Sequence, residues 1–180
     1  MLRPIHILFS FIFFGLMLAS CSSVPVRKDP PLAVVAHVDT KKYLGRWYEI
    51  ARYPHSFEEN CYAVTADYKL QDDGSIQVIN RCREGALDGE LKEAVGKAYI
   101  VDSQTNAKLE VTFFWPFYGD YWIIDLAEDY QYAVVSEPDR QYLWILSRTP
   151  TMDTSLYKRL TSKLKGNGFD LSFLTKTPQN

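Results

Sequence analysis

Residues 43–54 read YLGRWYEIARYP, and a change of pattern inside this stretch organises the whole chain. Upstream, Asp39 to Leu44 predicts a short helical turn capped by Asp39 or Thr40, whose side-chain oxygen accepts from the unpaired first amides. From Arg46 onward the pattern is different. Short runs rich in Val, Ile, Tyr, Phe and Trp follow one another, separated by turn residues at intervals of about ten. Strands are expected over 46–53, 62–71, 75–82, 92–101, 107–115, 119–126, 130–136 and 140–148. The separators have turn chemistry: Gly for positive φ in Asp72-Asp73-Gly74, Pro for a fixed φ in Pro116 to Tyr118 and Glu137-Pro138-Asp139, and Asp or Asn side chains that bond nearby backbone.

Several of these runs alternate. Leu109, Val111, Phe113 and Trp115 share one face of the fifth, while Lys108, Glu110 and Thr112 share the other. Tyr142, Trp144 and Leu146 lie together on the eighth. Large residues on one face mean that one side of the sheet sees an apolar interior. Strands joined by short connections make a meander, and closing the meander removes its edges. The expected fold is all-β, an eight-stranded antiparallel up-and-down β-barrel with one C-terminal α-helix packed outside. That helix spans 153–166, with Thr151 or Asp153 as cap and Gly166 or Gly168 at its end. Leu156, Leu160 and Leu164 form its packing stripe, and Lys158, Arg159, Lys163 and Lys165 form a solvated face.

Composition narrows the function classes. A net charge of −2 with 14% aromatic residues describes a globular chain and argues against a nucleic-acid partner, which wants a basic face. Residues 1–20 read as an export signal: Arg3, an apolar run from Ile5 to Leu18, then small residues. Leu18-Ala19-Ser20-Cys21 resembles the bacterial lipoprotein box, which implies acylation of Cys21 as the first mature residue. Residues 21–38, broken by Pro25, Pro30 and Pro31, read as a flexible tether able to reach about 60 Å, although Ala33 to Val38 can instead pack as an N-terminal strand. Residues 39–180 form the globular domain. In an oxidising compartment Cys61 and Cys82 suggest one disulfide, the alternative being two separate buried thiols. They are not directly opposite across the Asp72-Asp73-Gly74 turn, so a bulge or a bent strand end is needed to bring them within about 6 Å.

The stretch at 43–54 resembles the first signature of the lipocalin family, Gly-x-Trp at the start of the first strand. YLWILSRTP at 142–150 resembles the signature of the last strand, with its trailing Arg, and Glu128-Asp129-Tyr130 is similar to the second signature with Glu in place of Thr. The resemblance runs from about Tyr43 to Phe169 and is nearest to bacterial outer-membrane lipocalins and the apolipoprotein D subgroup. It implies that Trp47 plugs one end of the barrel, that Arg148 lies on the indole face, and that Gly45 allows a tight entry.

The resemblance further implies a ligand cavity in the barrel, and alternation nominates its lining. Tyr68, Val78, Asn80, Val111 and Phe113 are expected to face inward, as are Tyr121, Ile123, Tyr142 and Trp144. Such a lining suits a fatty acid, lysophospholipid or similar amphiphile, held for storage, transport or scavenging. Cys21 would hold the protein at the outer membrane with the barrel in the periplasm, as a monomer or homodimer; Ser22 fits that sorting. No cofactor, metal site or catalytic residue is expected. Two other readings stand beside this one: a filled barrel acting as an interaction protein of the envelope, and an enzyme acting on a bound lipid.

Overall fold

The computed structural model describes residues 31–179, so the export signal, the acylation at Cys21 and the tether up to Pro30 lie outside the described residues. Asp39 caps α1 (Thr40–Tyr43) by accepting from the amides of Lys41 and Lys42. Gly45, at φ +90°, then turns the chain into β1 (Gly45–Arg52). The meander continues as β2 (Cys61–Leu70), β3 (Ile76–Glu84), β4 (Leu91–Ile100), β5 (Lys108–Phe114), β6 (Phe117–Leu126), β7 (Tyr132–Ser136) and β8 (Leu143–Ser147). Every consecutive pair is antiparallel, and β1 closes the ring by pairing with both neighbours. Its first half lies against β2, Gly45 opposite Tyr68 and Tyr48 opposite Thr65. Its second half lies against β8, Tyr48 opposite Ser147 and Arg52 opposite Trp144. The result is the expected closed eight-stranded barrel, with α2 (Thr154–Gly166) outside it.

Asp153 is the cap of α2, accepting from the amides of Ser155 and Leu156, and Gly168 at φ +83° follows its C-terminal end. Leu160 and Leu164 are buried against Ile50, Val134, Leu143 and Ile145, so the leucine stripe covers the outer face of β1, β7 and β8. A second apolar cluster fills the closed end inside the barrel around Trp47, Ile123, Ala133 and Val135.

Four details depart from the sequence reading. The fifth and sixth strands are linked by Trp115-Pro116 alone, so β6 starts at Phe117 rather than at 119 and the hairpin projects further. Tyr130 and Arg140 take positive φ in the turns, so β7 and β8 start later than expected. Residues 32–38 of the expected tether are docked rather than free. Leu32 and Val38 are buried, Val35 N donates to Ile123 O at 3.0 Å, and Val38 N donates to Thr105 O at 2.7 Å. Apolar side chains at 32, 34, 35 and 38 are worth more against the barrel than in water, and that outweighs the entropy of a leash.

The fourth detail is a tail with no counterpart in the sequence reading. β9 (Thr175–Lys176) adds to β1, Ala51 opposite Lys176. Beyond it Ala63 N donates to Pro178 O at 2.8 Å, and Gln179 Nε2 donates to Glu49 O at 2.7 Å and Val64 O at 3.0 Å. The reason is a bulge in β2 between Tyr62 and Thr65, which peels that strand away from β1 and leaves backbone groups for the tail to satisfy.

Candidate ligand-binding cavity

One end of the barrel is shut by Trp47. Its indole is fully buried, its Nε1 donates to Tyr43 O at 2.8 Å, and the Arg148 guanidinium lies 3.8 Å from the ring centroid. Arg148 is fixed by four carbonyls: Nη1 donates to Arg46 O at 2.8 Å, Nη2 to Lys42 O at 2.7 Å and Tyr43 O at 3.1 Å, and Nε to Tyr130 O at 3.3 Å. One cation thus ties α1, β1 and the β6–β7 turn across the plug. Gly45 sits beside it, where a Cβ would meet Arg148 Nη1 at 3.6 Å.

Above the plug lies a cavity of about 650 Å³. Its wall is apolar for most of its height, with Ile76, Val78, Ala98, Leu109, Val111 and Leu146. Gly96 on β4 makes room for the Phe113 ring, since a Cβ there would come within 2.8 Å of it. The mouth is aromatic. Phe57 from the β1–β2 loop and Phe114, Phe117 and Tyr118 from the β5–β6 hairpin line the cavity while exposed to solvent, Phe114 by 80% and Phe117 by 77%.

Polar chemistry enters at two levels. At the floor the hydroxyls of Tyr43, Tyr68 and Tyr121 form a chain, with Tyr43 to Tyr121 at 2.7 Å and Tyr68 to Tyr121 at 2.9 Å. On the wall towards the mouth stand Glu49 and Glu58. Arg52 Nη1 lies 2.6 Å from Glu49 Oε1 and also donates to Thr177 Oγ1 at 3.0 Å, while Nη2 donates to Glu58 O at 2.8 Å. The Thr177 hydroxyl donates to Glu49. Two carboxyls share one guanidinium away from water. Burial, and then the facing Glu58 charge, push Glu49 up to about 8, and burial raises Glu58 as well. His55 stacks on Phe57 with ring centroids 3.7 Å apart, and burial drives it down to about 4.

Tyr68, Val78, Asn80, Val111, Phe113, Tyr121, Tyr142 and Trp144 all lie on the cavity wall. Ile123 does not. It shares the face of Tyr121 but sits one layer deeper, where its amide donates to Ala107 O and its side chain packs with the plug. Alternation gives the face of a residue and not its height, hence the miss. Cys61 and Cys82 are joined, Cα atoms 5.3 Å apart, and the β2 bulge supplies the needed offset. Glu58 reads from the sequence as half of a solvated loop pair with Glu59, and its side chain is instead largely buried on the wall; Tyr43 and Glu49 carry no expectation in the sequence reading. Glu49 was within reach of it, two residues from Trp47 on the same face; Glu58 sits in a loop turn at Ser56–Glu58 that carries no period.

A family model described as a lipocalin-like domain matches residues 38–179. The chain is a lipocalin. It is 42% identical to the outer membrane lipoprotein Blc of Vibrio cholerae, over 93% of this chain and 96% of that protein. It is 45% identical to Blc of Escherichia coli K12, over 87% of this chain and 86% of that one. Mouse apolipoprotein D is 38% identical over 90% of this lipocalin and 84% of its own length. Among solved structures, insecticyanin from the tobacco hornworm superposes with a TM-score of 0.67 at 22% identity, covering 84% of this lipocalin and 86% of that chain, which is a likeness of fold.

Proposed function

We propose that this lipocalin is a lipid-anchored carrier of the outer membrane that takes a fatty acid, lysophospholipid or similar amphiphile into its barrel. The observation that carries this reading is the cavity of about 650 Å³, apolar along its wall and open at an aromatic mouth. The tail of the ligand enters hydrocarbon-first and the head stays near the rim. A chain of about fifteen methylenes gains roughly 12 kcal/mol on burial, and an association cost of about 4 kcal/mol leaves a micromolar Kd. Tyr68, Val78, Val111, Phe113, Tyr142 and Trp144 make the tail contacts in this reading, with Asn80 and Tyr121 as polar points.

The location rests on two supports: the Leu18-Ala19-Ser20-Cys21 box and the outer membrane lipoproteins of Vibrio cholerae and Escherichia coli, to which the chain is similar over most of its length. Acyl chains on Cys21 hold the protein at the membrane, because two or more chains anchor stably where one is marginal. The barrel then stands in the periplasm and stores, transports or scavenges lipid.

The test uses residues 21–180 exported behind a cleavable leader, with Cys21→Ser so that no acyl chain is attached. Native mass spectrometry after exposure to a lipid extract is expected to find a retained, exchangeable lipid; a bare protein overturns the carrier reading. Titration with palmitate, followed by Trp fluorescence, then assigns the wall. Trp144→Ala weakens binding about tenfold on this reading, and an unchanged affinity removes Trp144 from the contacts. Labelled palmitate is incorporated by the full chain in cells and not by Cys21→Ala.

A further inference from the structure

The floor of the cavity holds an uneven number of hydrogens. Tyr43 comes from α1, Tyr68 from β2 and Tyr121 from β6, and all three line the cavity. Each phenol carries one hydrogen, so the three have three to donate. They make two bonds with each other, both centred on Tyr121. If the chain runs from Tyr43 to Tyr68, the Tyr68 hydrogen is left; if it runs the other way, the Tyr43 hydrogen is left. If both ends donate to Tyr121, its own hydrogen is left. Among the described residues these hydroxyls make no further hydrogen bond, so one donor is unspent in every arrangement. Tyr43 and Tyr68 are buried. Burial holds the phenols protonated, Tyr68 pushed up to about 12 and the other two well above the ordinary phenol range, so the spare group is a neutral donor. An unmet donor in such a place is costly.

We propose that this floor is a subsite for one acceptor-only oxygen at the leading end of the bound amphiphile, a ketone, ester carbonyl or ether, rather than for a bare methyl terminus. The inference rests on the reading of the cavity as an amphiphile site. The spare hydrogen needs an acceptor, and a carbonyl or ether oxygen supplies one without bringing a further hydrogen to be met among apolar neighbours. A carboxylate is disfavoured, because Arg148 does not line the cavity and four of its five N–H groups already go to the carbonyls of Lys42, Tyr43, Arg46 and Tyr130.

The test compares palmitate with its analogue carrying a ketone on the penultimate carbon. The protein is residues 21–180 with Cys21→Ser, and the variant adds Tyr43→Phe, Tyr68→Phe and Tyr121→Phe. The parent is expected to bind the ketone roughly tenfold tighter than palmitate. In the triple variant the preference reverses, because the desolvated carbonyl then has no donor. A ketone no tighter than palmitate in the parent overturns the subsite and leaves the carrier reading intact, as does a preference that survives the three substitutions. Failure of both ligands to bind the parent sinks the carrier reading and the subsite with it. Should the triple variant not fold, the infrared stretch of an isotope-labelled ketone bound to the parent decides. A shift to lower frequency than in hydrocarbon supports the hydrogen bond, and a hydrocarbon-like frequency overturns it.

Discussion

Arg148 is the cation that holds the closed end, and replacing it separates its two roles. The guanidinium lies 3.8 Å from the centroid of Trp47 and donates to four carbonyls, the two shortest at 2.7 and 2.8 Å. The side chain is partly exposed, so each of those two bonds is worth about 1 kcal/mol rather than the larger value of a buried charged donor. The cation–π contact adds about 1 kcal/mol. Arg148→Met keeps the stem over the indole and removes both effects, for a loss of about 3 kcal/mol. Arg148→Lys keeps the charge and one carbonyl and should lose about half of that. Arg148→Ala also uncovers Trp47 and should lose about 4 kcal/mol. With a urea m-value of about 1.5 kcal/mol/M, Arg148→Met moves the midpoint down by roughly 2 M at unchanged slope. Urea unfolding followed by Trp fluorescence reads all three. A Met variant within about 0.5 M of the parent, or a Lys variant as poor as Met, refutes the argument that the planar fork closes this end.

Gly45→Ala tests the entry to β1: the backbone is at φ +90° and the nearest contact, 3.6 Å, is ordinary, so a loss of about 1–2 kcal/mol by denaturation comes from the backbone alone, and a neutral substitution contradicts this. Cys61 and Cys82 close a loop with a sequence separation of 21, so the double Ser variant should lose about 3 kcal/mol in calorimetry; an unchanged midpoint would show that the unfolded chain is not constrained there. The pH profile of stability follows from the Glu49 cluster. Glu49 keeps its proton in the folded chain up to about pH 8, whereas the unfolded chain releases it above the ordinary carboxyl value of 4.5, so stability falls as the pH rises through that window. His55 stays neutral in the folded chain down to about 4 while the unfolded chain charges it below 6.5, so stability also falls as the pH drops from 6.5. His55 offsets only one of the raised carboxyls between pH 4.5 and 6.5, so thermal melts should be highest near pH 4.5 and decline as the pH rises from there to 8. Glu49→Gln shallows the alkaline limb without abolishing it, because burial also raises Glu58 and Glu137, the latter to about 7; an identical limb between pH 6.5 and 8 contradicts the assignment.

Much of this was legible in residue order because strand and helix periods are local. The alternation of Leu109, Val111 and Phe113, the turn at Asp72-Asp73-Gly74, the cap at Asp153 and the four-residue spacing of Leu156, Leu160 and Leu164 each depend on neighbours within a few positions. The pairing of Trp47 with Arg148 across the chain came instead through resemblance, since nothing local links residues so far apart.

The chain of residues by itself determined a meander of eight strands, one outer helix and which face of each strand looks inward. Only the tertiary structure decided what meets inside. Closing the ring sets the stagger of every strand, and stagger sets height along the barrel. Height is what puts Tyr121 on the cavity floor and Ile123 beneath it, joins the hydroxyls of three distant tyrosines, and leaves one hydrogen among them without an acceptor. The bulge in β2 likewise admits the C-terminal tail, which brings Thr177 onto Glu49 from the far end of the chain. A two-residue period carries no record of such distances, because they are fixed by the register of strands against each other and not by the order of residues along any one of them.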